Sequence, residues 1–167
     1  ETQTVLWMRM LDRLEGSRPP QLVVIDPRRS PTAERATVHL ALRPGTNVPV
    51  LNGLLHQLIK NGWIDEGYIA RHTIGYPDLV KATAHWDAQH VEEVSGVPAA
   101  YLIRAAEIIG TSHALVSTCL QGVYQSHQAT AAACQVNNIH LIRGMLGRPG
   151  CAVFQMNGQP TAQNTRE

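Results

Sequence analysis

The sequence predicts an α/β domain with a mostly parallel sheet and an all-helical middle insertion. Short apolar runs rich in β-branched residues alternate with segments whose apolar residues recur at helical spacing. Strands that are joined through helices form right-handed crossovers, which give a layered domain with a parallel sheet. Residues 63–110, by contrast, contain only helical patterns, so we expect this stretch to be inserted between strands as a helical unit.

The first part of the chain is expected to contain two strands. Residues 4–15 have a helical pattern that stops at Gly16, and the first strand follows at residues 22–25. A helical turn at residues 32–36 then leads to the second strand at residues 38–42. Both strands are short and apolar, which is typical of buried parallel strands.

The helix after the second strand has the clearest pattern. Thr46 is in position to cap its start, and Asn61 followed by Gly62 ends it. Its apolar stripe consists of Leu51, Leu54, Leu55, Leu58 and Ile59. The remaining predicted elements are helices at 66–72, 76–83, 87–94 and 98–109, a third strand at 114–117 and a helix at 128–143. Beyond Gly144, glycine and proline without periodicity predict an irregular chain.

Composition limits the classes of function. The 167 residues suit one domain, and 44% hydrophobic residues are enough to bury a core. A net charge of +1, without a basic stripe interleaved with aromatic residues, excludes nucleic acid as the main partner. No apolar run is long enough to span a bilayer, so we expect no membrane partner. Because Glu1 lies inside a helical pattern, we expect the chain to be a piece of a longer protein.

The sequence contains no metal-binding or nucleophile motif. Cys119, Cys134 and Cys151 are widely spaced, which excludes a zinc ribbon or a four-cysteine iron–sulfur site and favours free thiols. The eight histidines include no His-Glu-x-x-His pattern, and His85 and His90 are five residues apart, so they do not share a helical face. We therefore expect neither metal ligands nor catalytic residues in this chain.

Polar segments follow the first two predicted strands. The first consists of Asp26, Pro27, Arg28, Arg29 and Ser30, and the second contains Gly45, Thr46 and Asn47. In open α/β sheets, ligands bind beyond the carboxyl ends of the strands. A carboxylate there can accept bonds from ribose hydroxyls or a base, and guanidinium groups suit phosphates. A nucleotide-bearing cofactor is the first hypothesis, although Asp-Pro turns and paired arginines are also ordinary surface features.

A third polar segment follows the third predicted strand. Gln121 and Gln125 flank Gly122 in what we expect to be a loop. A side-chain amide both donates and accepts hydrogen bonds, which suits the edge of a pterin or a guanine. From the residues alone, a polar surface loop explains the segment equally well.

Taken together and in this order, these segments resemble the molybdopterin oxidoreductases of the dimethyl sulfoxide reductase family. The resemblance extends to Asn138–Gly144, Gly147-Arg-Pro-Gly150, Gly158-Gln-Pro-Thr-Ala162 and Thr165-Arg-Glu167, and so covers nearly the whole chain. The ending from Gly158 to Glu167 is most similar to the assimilatory nitrate reductase branch. In that family the Asp-Pro-Arg and Gly-Thr-Asp-like segments contact the guanosine of a molybdopterin guanine dinucleotide.

The resemblance implies a Rossmann-like three-layer α/β/α domain over residues 1–150 that binds this cofactor. An irregular tail at residues 151–167 would lead to the next domain. The parent catalytic subunit would reduce nitrate to nitrite in the cytoplasm, at a molybdenum held by two such cofactors (Mo-bis-MGD). Its 4Fe-4S cluster would lie in a region before Glu1, and its partners would be its own remaining domains and an electron-donor protein. None of the three cysteines matches the metal-ligand position, so the piece alone is expected to be inactive.

Two alternatives stay open at this point. One is the same domain of a formate dehydrogenase, and the other is a non-catalytic Rossmann-like module with an empty or vestigial site that serves assembly only. Asn47 is one departure from the family, which commonly has Asp there. A carboxylate can accept from both the ring N–H and the amino group of guanine, whereas an asparagine offers one carbonyl oxygen. We therefore expect an Asn47→Asp variant to bind guanine nucleotides more tightly.

Overall fold

The computed structural model describes residues 4–156. Helices and strands alternate at both ends of this range, and helices alone occupy its middle. In chain order the elements are α1 (Thr4–Leu14), β1 (Val23–Ile25), α2 (Pro31–Glu34), β2 (Val38–Leu40), α3 (Asn47–Lys60), α4 (Glu66–His72), α5 (Tyr76–Thr83), α6 (Ala88–Ser95), α7 (Ala99–Thr111), β3 (Val116–Cys119), α8 (Gln121–Tyr124), α9 (Ala129–Ile142) and β4 (Ala152–Gln155). The predicted α/β class with a helical middle is confirmed.

All of the described strands pair in parallel, but they form two small sheets rather than one. In the first sheet, Val23 lies opposite Val38 and Ile25 opposite Leu40, so β1 and β2 end at the same edge. The second sheet pairs β3 with β4. The β2 strand stops after three residues because the chain turns at once, with the Leu42 amide donating to the Leu40 carbonyl at 3.1 Å.

Helix α3 is at the centre of the core and packs against α6, α7 and α9. Leu54, Leu55 and Leu58 are almost completely buried, as the apolar stripe of the sequence predicts. Gly53 lets α3 approach its neighbours closely. A Cβ atom added there would lie 2.6 Å from a Val91 methyl group and 2.9 Å from a Leu102 methyl group.

The last part of the fold differs from the sequence-based expectation. The third strand begins two residues later than predicted, at Val116. The expectation of an irregular tail at residues 151–167 is wrong for its first residues, because β4 (Ala152–Gln155) pairs with β3 and Val153 packs against the core. Strand β4 has only four residues, which are too few for a periodic pattern to be detected in the sequence. The rest of the predicted tail, residues 157–167, lies outside the described residues.

Within residues 4–156, none of the helices combines the length and the apolar character needed to cross a bilayer.

Candidate functional site

The first polar segment begins directly at the end of β1. The backbone amide of Asp26 donates to the Leu40 carbonyl at 3.3 Å, which fixes Asp26 beside the end of β2. One carboxylate oxygen of Asp26 accepts from the backbone amide of Arg28 at 2.7 Å. An ionised carboxylate has about four acceptor positions, so Asp26 keeps the capacity to accept hydrogen bonds from a ligand.

The rest of this segment forms a turn and a helix cap. Pro27, Arg28 and Arg29 are exposed. The Ser30 hydroxyl accepts from the Ala33 amide at 3.3 Å and caps α2, so its acceptor role is structural. Its O–H donor is not required by the cap.

The second polar segment is a tight turn between β2 and α3. Gly45 has a left-handed φ of 87°, and a Cβ atom added there would meet no other atom within 4 Å. Thr46 occupies the N-cap position of α3, but the prediction that its side chain caps the helix is wrong. Its hydroxyl instead donates to the Arg43 carbonyl at 2.7 Å, inside the same turn.

Arg43 anchors this turn and was not identified from the sequence. Its guanidinium donates to the carbonyls of Glu93 at 2.8 Å and Val94 at 3.2 Å, at the end of α6. Its backbone amide donates to the Ser95 carbonyl at 2.8 Å. A cation at a helix C-terminus is also favoured by the helix dipole. The partners are about fifty positions away along the chain, so local sequence patterns carry no signal for this role.

His39 is a second positioning residue that the sequence did not single out for the site. Its Nε2 donates to the Asp26 carbonyl at 2.8 Å, which ties β2 to the start of the first polar segment. Val38 and Leu40, its neighbours along the strand, are buried on the other face. This alternation is visible in the sequence, but the partner of the imidazole is not.

The third polar segment contacts the second. The Asn47 side-chain amide donates to the Gly122 carbonyl at 3.0 Å, although the two residues are 75 positions apart. Gln121 and Gly122 lie in the short helix α8, so the expectation of a loop is wrong here. Gln125 ends that helix, and its backbone amide donates to the backbone carbonyl of Gln121 at 2.9 Å. The side chain of Gln121 is half-buried and that of Gln125 is exposed.

The structure therefore brings the three segments together at one end of the molecule. The parallel register places Asp26 and the turn at 43–47 at the same edge of the first sheet. The bond from Asn47 to Gly122 joins the second and third segments, which also follow the carboxyl ends of their strands. This is the edge at which α/β sheets bind ligands. The roles of these residues in cofactor binding stay predictions.

The cysteines and histidines lie elsewhere. Cys119 is buried at the end of β3, and burial raises the pKa of its thiol, which disfavours the thiolate. Cys134 is exposed and Cys151 half-buried, and all three thiols are free. Over residues 4–156, no group of three or more His, Cys, Asp or Glu side chains is arranged to hold a metal ion.

A pocket of about 540 Å³ lies at the opposite end of α3 from this site. The 14 residues of α3 separate the two by about 20 Å along the helix axis. Its lining consists of Gly62, Ile64, Asp65, Glu66, Ser112, His113, Arg143, Met145 and Arg148. The sequence analysis did not identify this pocket, because its side chains come from the ends of four separate helices and the turns beside them.

These features define a class of protein, namely an α/β domain with polar segments gathered at the carboxyl ends of parallel strands. The chain belongs to the molybdopterin oxidoreductase family, whose family model matches residues 1–167. The resemblance seen in the sequence is thereby confirmed.

Curated relatives support the same assignment. The chain is 35% identical over 147 residues to a nitrate reductase of Synechocystis, covering 88% of this chain and 21% of the relative. It is 34% identical to a nitrate reductase of Shewanella frigidimarina, covering 99% of this chain and 18% of the relative. It is 33% identical to the F420-dependent formate dehydrogenase 1 subunit alpha of Methanococcus maripaludis, covering 86% of this chain and 21% of the relative. The chain thus spans about a fifth of the length of these relatives.

A solved structure supports the fold. Acetylene hydratase from Pelobacter acetylenicus superposes with a TM-score of 0.73 at 23% identity, covering 78% of this chain and 18% of that chain. At this identity the likeness concerns the fold alone.

Proposed function

We propose that this chain is the part of a molybdenum oxidoreductase catalytic subunit that binds the guanosine portion of a bis-molybdopterin guanine dinucleotide cofactor. The observation that carries the proposal is the convergence of three polar segments at the carboxyl ends of parallel strands, joined by the bond from Asn47 to Gly122. Membership of the molybdopterin oxidoreductase family supports a pterin cofactor of this kind.

Each segment offers chemistry that suits one portion of the cofactor. The carboxylate of Asp26 accepts bonds from ribose hydroxyls or from the base, and Arg28 and Arg29 supply exposed positive charge for phosphate groups. Because the amide of Asn47 is used by Gly122, its oxygen remains to accept one N–H of guanine. The open space beside Gly45 allows a ligand to approach the backbone closely.

The amides of Gln121 and Gln125 are proposed to meet a pterin or guanine edge. Gly122 lies between them, and the Ser30 hydroxyl adds a donor from the first segment. The donor and acceptor set therefore fits the group. When bound, the molybdenum of the cofactor supplies the redox chemistry, and no residue of this chain is proposed as a ligand of the metal. The piece alone is proposed to be inactive.

For the whole subunit we propose reduction of nitrate to nitrite. The ending from Gly158 to Glu167 and the nitrate reductases of Synechocystis and Shewanella frigidimarina support this substrate. Electrons would arrive through a 4Fe-4S cluster outside this chain from a donor protein in the cytoplasm. The formate dehydrogenase relative makes formate the competing substrate. Assays of the full-length subunit with nitrate and with formate separate the two.

Titration of the chain with GDP tests the cofactor proposal, since GDP carries both the guanosine and the phosphates. We expect saturable binding in calorimetry that an Asp26→Ala variant loses. An Asp78→Ala variant, which removes an exposed carboxylate on α5, is the matched control and should bind as the native chain does. ADP in place of GDP measures selectivity for the base. No saturable binding at millimolar GDP, or equal binding by both variants, would contradict the proposal.

A further inference from the structure

The pocket at the far end of α3 contains two arginines without an ion-pair partner. Arg143 follows α9, and Arg148 lies in the turn after it; both line the pocket. Within residues 4–156, neither guanidinium lies within 4.0 Å of a carboxylate oxygen. For Arg143 this is costly, because its buried Nε loses hydration without gaining a hydrogen bond or a counter-charge.

The protein fixes Arg143 in this position through backbone carbonyls. Its Nη2 donates to the Ser112 carbonyl at 2.8 Å, and its Nη1 is 3.5 Å from the Trp63 carbonyl. Its Nε is buried and has no hydrogen-bond partner among the described residues. Since a guanidinium has five N–H donors, both terminal nitrogens keep a hydrogen that these carbonyls do not use.

Arg148 adds a second positive charge close to the first. The one side-chain hydrogen bond that its guanidinium makes among the described residues is weak, from Nη1 to the Met145 sulfur at 3.8 Å. Burial lowers the pKa of Arg143, the nearby charge of Arg148 lowers it further, and Asp65 raises it. Like charges held near each other repel unless an anion lies between them.

The two acids of the pocket do not neutralise this pair. One oxygen of Asp65 accepts from the Tyr68 amide at 2.8 Å and caps α4, and the other lies against Gly144. Glu66 is exposed at the start of α4. His113, also exposed, supplies a further N–H donor to the lining.

We propose that this pocket binds a small oxyanion, a carboxylate or a phosphate, between Arg143 and Arg148. The bidentate geometry of guanidinium groups suits both anions. A phosphate would come from solution or from a small molecule, and a carboxylate from an acidic side chain of a protein partner. The site is about 20 Å from the proposed cofactor site, so the two proposals stand or fall separately.

Titration of the ¹⁵N-labelled chain with inorganic phosphate and, separately, with acetate tests the proposal. We expect saturable shifts of the backbone amides of Ser112, His113 and Met145. An Arg148→Gln variant should bind about tenfold more weakly, as loss of one charge-assisted bond predicts. Because Arg148 is exposed, this variant should fold normally. Tighter binding of phosphate would indicate an anion from solution or from a small molecule. Tighter binding of acetate would indicate an acidic side chain of a protein partner.

The matched control is Arg104→Gln, which removes an exposed arginine on α7 that pairs with Glu107. This variant should bind both anions as the native chain does. Absence of shifts with both anions, shifts confined to residues 26–47, or equal weakening by the two variants would overturn the proposal.

Discussion

Asn47 holds two segments of the candidate site together through its own side chain. Its amide donates to the Gly122 carbonyl at 3.0 Å, and an aspartate would instead place an acceptor against that carbonyl. We expect Asn47→Asp to lower the free energy of unfolding by about 1 kcal/mol, as measured by urea denaturation. Gln89→Glu, the same amide-to-acid change at an exposed position of α6, should have a smaller effect. An equal effect of the two changes would show that the bond is unimportant.

The expectation that aspartate tightens guanine binding is a separate prediction. GDP titration of the folded Asn47→Asp variant tests it, since ligand affinity and unfolding are measured independently. Calorimetry that gave an equal or weaker affinity would contradict it.

His140 gives the protein a pH-dependent stability. It is fully buried on α9, its Nε2 is 2.8 Å from the Ser117 hydroxyl, and burial lowers its pKa from 6.5 to about 4. Below pH 6.5 the unfolded chain binds a proton that the folded chain does not bind until about pH 4. Stability should therefore fall as the pH is lowered from 6.5 to about 4, by on the order of 2–3 kcal/mol.

The His140→Gln variant isolates this contribution. Glutamine keeps a polar side chain of similar size near Ser117 but does not titrate. Urea unfolding followed by tryptophan fluorescence at several pH values should show a flatter dependence for the variant between pH 6.5 and 4. Parallel curves for the two proteins would mean that other groups control the stability in this range.

At the scale of single elements, the close packing of α3 makes Gly53 essential. Alanine favours a helix by about 1 kcal/mol over glycine, but its methyl group would overlap Val91 and Leu102. We expect Gly53→Ala to lower the free energy of unfolding by about 1–3 kcal/mol in urea denaturation. The control Ala82→Gly makes the reverse substitution at an exposed position within α5. It should lower the free energy of unfolding only by the difference in helix propensity between alanine and glycine. A stabilised Gly53→Ala variant would mean that α3 can move away from its neighbours.

Most helices and the first two strands could be predicted because their signals are local. Helical spacing depends on residues three or four positions apart, as do the side-chain caps that Asp65 and Asp87 form in the structure. Helix α8 and strand β4 contain four residues each, too few for a period to emerge. Among the shorter elements, sequence analysis locates those marked by an apolar run with β-branched residues, such as β1 and β2, and misses α8 and β4.

The polar segments of the candidate site could be predicted from the sequence, but the contacts that position them could not. The strand-end rule identifies Asp26 and the turn at 43–47 from the neighbouring sequence. The contacts of Arg43 and His39 that position these segments join distant parts of the chain, so no sequence pattern encodes them. Thr46 fits the helix-cap pattern, but its hydroxyl donates to the Arg43 carbonyl and accepts no capping hydrogen bond.

At the scale of the whole molecule, the second sheet connects the end of the described chain to the core. The Ala152 amide donates to the Leu115 carbonyl at 3.1 Å, and the Met156 amide donates to the Cys119 carbonyl at 2.8 Å. Val153 packs against the core between these two bonds. Strand β4 is therefore an integral part of the fold, and β3 would have no partner strand in the described structure without it.

Truncation tests this role of β4. A chain that ends after Gly150 lacks the strand, whereas one that ends after Met156 keeps it. Because a lone strand is not stable in water and the buried part of Val153 is lost, we expect the shorter chain to have a free energy of unfolding lower by about 2 kcal/mol or more. Urea denaturation gives this difference, and hydrogen exchange should show loss of amide protection in Val116–Cys119 of the shorter chain. Equal stability and equal protection in the two chains would mean that α8 and α9 hold β3 and that β4 only lies against it.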